Sequence, residues 1–517
     1  MKQNLQKKYG LVTTICLVVG AVIGSGIFFQ NETIFARVGG DLRTAVGAWV
    51  IGGAIMFVMM WVWGQLAIGK VGMGGLMEYT DDLLGKKYSY FLGWFLGTVL
   101  YPAFVAILAW ITAQFTGDLL GWSPYMRNTG GQIWMLAGVY MIGVYVMNVI
   151  SPKLAGFFQV STTFIKVVPL LLMGVIGLVV GLTSGQMAEN MELIIPASEL
   201  EVTPLFYAIL ATAFAYGGSE EVLMMSSEIK DREKNLPRGI IIGAIIIIAI
   251  YVLYTIGVYG SMDVATLSAP GGVRRGFLNV FGTGFGNVLT VFIIISCLGA
   301  MNSAMMAGSR AFYALAIRGT GPGPEYVKQV DKKTDMPPTS AAMSLLFCGL
   351  AFFIIFSNTQ DMMVYNAITT ENVGLLSASD QELLAQSPHL MDPDLLEIYP
   401  QLAHQRWFGR INLGLTALAP VTLMAFYIPV FAAVMKKKTD WNVLNRFVMP
   451  MLAILGGLFM IYMVFYNSYS AYHGEVAQNW WQVWHAPAVW IYLIGFTVLM
   501  SMAAVFQVYN KNQSENK

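Results

Sequence analysis

The chain has 517 residues; 56% are hydrophobic, 11% are charged, and 30 Lys plus Arg offset 29 Asp plus Glu to a formal net charge of +1. Cations scattered singly among apolar runs make no basic patch, so a nucleic-acid partner is excluded. This is the composition of a polytopic membrane protein, whose solvent is the lipid bilayer.

A hydrocarbon core of about 30 Å needs about 20 apolar residues per helix, and twelve such runs can be marked. They lie at about 11–36, 44–69, 88–117, 133–151, 155–183, 204–228, 238–260, 285–317, 339–357, 409–435, 446–467 and 487–510. The basic start MKQNLQKKYG is followed by a run too long for a signal peptide, so the first run is expected to be a retained helix. With both termini in the cytoplasm, inner segments hold 22 Lys and Arg, outer segments hold 7, and Lys166 remains within a span. That bias satisfies the positive-inside rule and predicts an even number of helices in a plasma membrane, the inner membrane of a bacterium. Cys16, Cys297 and Cys348 fall within apolar runs and imply no disulfide framework. His389, His404, His473 and His485 lie outside or at the edge of the spans, so no intramembrane metal site is expected. The outer segment 358–408 is long and acidic, and Ser377 or Ser379 resembles the cap of a short surface helix.

The first run contains Val22-Ile23-Gly24-Ser25-Gly26-Ile27-Phe28. Each interior glycine weakens a helix by about 1 kcal/mol relative to alanine. Unwound backbone in a bilayer is tolerated only beside protein or a water-filled cavity. The pattern therefore points to a binding site, with close helix packing through small residues as the alternative. A second interruption follows in the sixth run at Phe214-Ala215-Tyr216-Gly217-Gly218-Ser219-Glu220-Glu221. Five helices precede the sixth, so the two breaks occupy corresponding first positions of two five-helix halves, the second inverted. Such a pair is the sequence pointer to a secondary transporter with a midplane site.

At these residues the chain resembles the amino acid, polyamine and organocation transporters, closest to their L-type amino-acid branch. Val22 to Phe28 matches the first-helix signature, and Phe214 to Gly218 with 228–238 resembles the sixth helix and its loop. Gly74, Gly75, Tyr79 and Gly85 resemble the loop after helix two; Asn302, Ser309, Arg310 and Pro324 resemble the end of helix eight. The likeness runs from about residue 8 to 345. Departures are Gln65, where relatives often carry Glu, and Ser219-Glu220, which resembles instead the Gly-x-Glu of acid-resistance antiporters. The resemblance implies an all-α, LeuT-like fold of two inverted repeats with helices 1 and 6 broken. Its parts are residues 1–183, 204–435 with the 358–408 insertion, two extra helices in 446–510, and a cytoplasmic tail, 511–517. Animal relatives join a heavy chain through a Cys after helix three; residues 117–132 hold none, so no disulfide-linked partner is implied.

The outer half of helix one begins after Gly26, where free N–H groups and the positive dipole end suit a substrate carboxylate. Open carbonyls near Ala215 and Tyr216 suit an ammonium. Ile23, Gly24, Ser25, Gly26, Ala215, Tyr216, Gly217, Gly218 and Glu220 are the candidate binding residues. Lys166 sits near mid-membrane and is functional by default; snorkelling is the alternative. By resemblance it stands where sodium-coupled members bind an ion, which implies sodium independence. Glu220 and Glu221 face about 100° apart, so at most one points into the site. Glu220 is expected to bind a cation, pair with Lys166 or titrate; Tyr216 is expected to gate or to pack. The expected function is amino-acid transport by exchange or proton coupling, without catalysis or cofactor. The alternatives are a cationic amino-acid or polyamine antiporter and a non-transporting amino-acid sensor.

Overall fold

The computed structural model describes residues 9–24, 26–68, 75–122, 131–195, 204–226, 229–269, 271–331, 333–334, 336–369, 415–473 and 487–515. The described residues are helical and connecting segments, with one isolated bridge between Tyr9 and Ile229. The first run is two helices, α1 (Leu11–Val22) and α2 (Gly26–Arg37), bent by 46°. Next comes α3 (Leu42–Leu66), which starts at Asp41 because that side chain accepts the N–H groups of Arg43 and Thr44. A short helix, α4 (Leu76–Leu84), precedes α5 (Lys86–Leu119), in which Leu96–Leu100 forms a π-helical turn. Then follow α6 (Gly131–Ile150), α7 (Leu154–Ser184) and the short α8 (Gln186–Glu192).

The sixth run is again split, into α9 (Pro204–Ala215) and α10 (Glu221–Met224). Beyond it lie α11 (Arg232–Tyr259), α12 (Val264–Ser268), α13 (Gly272–Ala316) and α14 (Pro324–Val327). The chain closes with α15 (Pro338–Thr369), α16 (Leu415–Lys437), α17 (Met449–His473) and α18 (Pro487–Glu515). Among the described residues nine helices are long and apolar enough to cross a bilayer, and the α1–α2 pair makes a tenth bent span. Two shorter apolar helices, Pro204–Ala213 and Pro338–Ile354, stand at the sixth and ninth runs.

Three departures from the apolar pattern have physical causes. Helix α13 begins at Gly272 rather than near 285, because a non-helical Gly282 (φ +73°) joins two helices end to end. Helix α15 continues to Thr369, well into the segment expected to be a loop. Helices α4 and α8 are short and mixed in polarity, so a window scanning for membrane-length apolar runs passes over them. The proposed cap at Ser377 or Ser379 lies outside the described residues. Cys16, Cys297 and Cys348 are free and buried.

Helix α1 packs against α11, α7 and α13, while α2 packs against α9. The two split helices therefore lie side by side at the centre, walled by α3, α5, α7, α11 and α13. Large side chains such as Trp49, Tyr101, Tyr251 and Tyr254 are fully buried around them.

Candidate functional site

Helix α1 stops at Val22 because Ile23 is extended (φ −70°, ψ 94°), its N–H closing the last turn on the Val19 carbonyl. Ile23 is wholly buried. Ser25 lies outside the described residues, and Gly26 opens α2. A Cβ on Gly26 would stand 2.7 Å from the Ala215 Cα, and one on Gly24 would stand 3.2 Å from the Ala300 Cβ. The first position admits no side chain. At the second break, Gly218 has φ +96°, and its Cβ would lie 2.8 Å from the Ala21 carbonyl oxygen. Each interruption thus presses against the other broken helix, Gly26 on α9 and Gly218 on α1. Glycine is demanded twice at Gly218, by the left-handed backbone and by the approach of a carbonyl.

Tyr251 on α11 ties the two breaks together. Its hydroxyl is 3.0 Å from the Ala215 carbonyl oxygen and 3.3 Å from that of Val22. The Ala215 carbonyl, expected to be open for an ammonium, is therefore occupied by a phenol. Tyr216 points to α3, where its hydroxyl donates to the Trp49 carbonyl at 2.8 Å. The rings of Trp49, Tyr216 and Tyr251 meet with centroids 5.1–5.7 Å apart. Trp49 in turn donates its indole N–H to Asn31 Oδ1 at 2.9 Å, which also accepts from Thr255 at 2.9 Å. So Tyr216 is a packed and bonded wall of the site. Tyr251, Trp49 and Asn31 were missed in the sequence; the available signal was a polar group within an otherwise apolar run.

Lys166 is completely buried on α7, and its ammonium donates to the Gly20 carbonyl at 2.5 Å. A Cβ on Gly299 would lie 3.3 Å from the Lys166 Cε, so α13 closes over the side chain. The carboxylate that acts on Lys166 is Glu221. Of the three roles expected of Glu220, pairing with Lys166 is the one this geometry does not supply: the 100° between successive helical residues sends the two side chains apart. Glu220 instead lines a cavity with Tyr216, Gly217 and Ser219. Both glutamates are at least 95% buried, and Glu220 Oε1 and Glu221 Oε2 have no hydrogen-bond partner. Lone pairs left unbonded in a low-dielectric interior are costly unless a water, proton or ligand meets them.

The site is covered at both ends. On one side α4 lies under α10: a Cβ on Gly75 would meet the Leu223 carbonyl oxygen at 2.5 Å, and Tyr79 bonds Ser226 at 3.3 Å. Arg318 holds α4 through Asp81 at 3.2 Å and α5 through Ser89 at 3.1 Å. On the other side the Glu32 carboxylate on α2 accepts the N–H groups of Gly271 and Val273, each at 3.1 Å.

A family model described as "Amino acid permease" matches residues 9–499. The chain is 29% identical over 337 residues to the serine/threonine exchanger SteT of Bacillus subtilis (strain 168), covering 63% of this chain and 72% of that one. It is 26% identical over 360 residues to the large neutral amino acids transporter small subunit 2 of Oryctolagus cuniculus, covering 69% and 65%. A third relative, the human cystine/glutamate transporter, is 22% identical over 363 residues, covering 70% of each. Among solved structures, MhsT in complex with L-phenylalanine superposes with a TM-score of 0.55 at 14% identity, covering 88% of this chain and all of that one. That likeness bears on the all-helical fold alone. A match across nearly the whole length, on a chain whose two helix interruptions meet at its centre, places this protein in the amino acid permease family.

Proposed function

We propose that this permease moves amino acids by alternating access, as an exchanger or with protons and without sodium. The observation that carries the reading is the mutual packing of the two breaks, Gly26 on Ala215 and Gly218 on Ala21, bridged by the Tyr251 hydroxyl. Such a junction is held by few bonds and is easily re-formed in a second arrangement. When it opens, the N–H groups at the start of α2 from Gly26, beside Gly24 and Ser25, receive the substrate carboxylate. Carbonyls at Ala215 and Tyr216, once Tyr251 lets go, receive the ammonium. Gly217 and Gly218 permit the close approach. Lys166 supplies the positive charge at the Gly20 carbonyl, which supports sodium independence.

The same reading takes the chain as twelve spans. Nine apolar helices, the bent α1–α2 pair and the two shorter apolar helices support that number. Residues 1–183 and 204–435, with the 358–408 insertion, form two inverted halves; 446–510 adds two helices, and 511–517 is a tail in the cytoplasm. Both termini lie on the cytoplasmic side of a plasma membrane. The printed activities of the relatives, exchange of serine and threonine and transport of neutral amino acids or cystine and glutamate, support an amino-acid substrate.

The test is counterflow of labelled amino acids into liposomes holding the purified full chain, in sodium-free buffer. Accumulation of at least one amino acid over protein-free liposomes is expected. Binding without flux would favour the sensor reading, and neither binding nor flux would reject the substrate class.

A further inference from the structure

A cavity adjoins the junction of the breaks across α9. Its walls come from α3, α5, α9, α16 and α17, and it shares Tyr216 and Gly217 with the second break. Five methionines, Met56, Met59, Met60, Met424 and Met460, line it together with Ile55, Phe104 and Leu423. One acidic side chain, Glu220, lines it, and the lining contains no Lys, Arg or His. The Glu220 Oε1 atom is buried without a hydrogen-bond partner. Two phenols stand close: Tyr427 lines the cavity, and Tyr101, which directly follows the π-helical turn of α5, lies within electrostatic range of Glu220. The hydroxyls of both are buried without a partner as well.

Charge accounting sharpens the picture. Two carboxyl groups and one amine are buried around the breaks; the amine donates to the Gly20 carbonyl and lies within the field of Glu221. Glu220 is the acidic group whose surroundings offer no basic side chain, and it is the one that lines the cavity. An unpaired carboxylate in a medium of low dielectric calls for a cation of matching size. A flexible, polarizable methionine lining suits an aliphatic chain of variable shape rather than one rigid ring.

We infer that this cavity is a subsite for the aliphatic, terminally cationic part of the substrate, an organic ammonium or guanidinium neutralised by Glu220, with the α-amino-acid end held at the breaks. The inference rests on the transport reading above and narrows its substrate class. Tyr101 and Tyr427 add hydroxyl oxygens that accept from the cationic group.

The experiment compares binding of L-lysine with that of L-norleucine, which has the same chain length without the ammonium, to the purified full-length protein. Cadaverine serves as a probe of the tail alone. Lysine is expected to bind at least tenfold tighter than norleucine, and cadaverine to compete with it. Glu220→Gln, which keeps the shape, brings the lysine-to-norleucine ratio close to one. Met460→Trp fills the cavity from α17 without touching the carboxylate and weakens lysine at least tenfold. Equal binding of lysine and norleucine to the wild type, or an unchanged ratio in Glu220→Gln, overturns the inference while amino-acid counterflow leaves the transport reading intact. Failure of every amino acid to bind or exchange overturns both.

Discussion

Tyr251 is a residue whose single atom does two jobs, since one phenol oxygen serves carbonyls from both broken helices. Tyr251→Phe leaves the ring packing and strands two buried carbonyls. Leaving a buried acceptor unmet costs about 1–3 kcal/mol. Thermal unfolding in detergent should show a lowered Tm, and exchange should slow; an unchanged Tm and rate would mean the bridge is incidental. Lys166 donates to the Gly20 carbonyl from within the field of Glu221. Removing the ammonium strands that buried carbonyl, which costs about 1–3 kcal/mol. Lys166→Ala should be strongly destabilised and slow in exchange, and transport at the wild-type rate would refute its role at the first break. Gly218→Ala sets a Cβ against the Ala21 carbonyl at a positive φ, where a side chain costs about 1–2 kcal/mol. It should lower Tm and impair exchange, whereas Gly138→Ala, where a Cβ meets open space, should change neither.

At the scale of elements, closure depends on short pieces rather than on the long helices. Helix α4 is pinned by Arg318 to Asp81 and by Tyr79 to Ser226. Burial holds the Tyr79 phenol above its ordinary pKa, so it remains protonated and able to donate at neutral pH. A partly exposed ion pair contributes about 0–1 kcal/mol, enough to bias a near-balanced opening without locking it. Asp81→Asn should open this end, read as faster thiol labelling of Ser226→Cys in that background; equal labelling would place the closure elsewhere. The turn that enters α15 has its own pH dependence. The Thr334 hydroxyl, then the Thr334 N–H, hold the Asp331 carboxylate below its usual range. A depressed pKa gives a contribution that is complete above the ordinary carboxylate value and is lost as pH falls through the lowered one. The protection factor of the Thr334 amide, its exchange rate relative to the unstructured rate at the same pH, should therefore fall only on strong acidification, and Asp331→Asn should remove that step.

For the whole molecule, the large pattern was legible because membrane physics writes it in hydropathy. Apolar runs of bilayer length mark the helices, and paired glycines at Gly24 and Gly26 and at Gly217 and Gly218 mark where two of them split. The burial of Lys166 was legible as well, because a charge amid a long apolar run has to be answered from within. What the sequence hid depends on the angle between helices. Whether Glu220 or Glu221 meets Lys166 turns on about 100° of rotation at the start of α10, which no local pattern records. The occupation of the Ala215 carbonyl by Tyr251 needs α11 to reach the end of α9, a contact between residues 36 positions apart. The methionine cavity needs five helices at once, one of them outside the two expected repeats.

The central claim is that the two breaks form one moving site for amino acids. Its most direct measurement is uptake of a labelled amino acid into sodium-free liposomes, empty or preloaded with the same amino acid unlabelled, for the wild type and Gly26→Ala. Preloading should accelerate wild-type uptake, and a methyl group forced to within 2.7 Å of the Ala215 Cα should abolish that acceleration in a variant that still folds. Preloaded wild-type liposomes that take up no more than empty ones without protein, or a Gly26→Ala protein that exchanges normally, would contradict it.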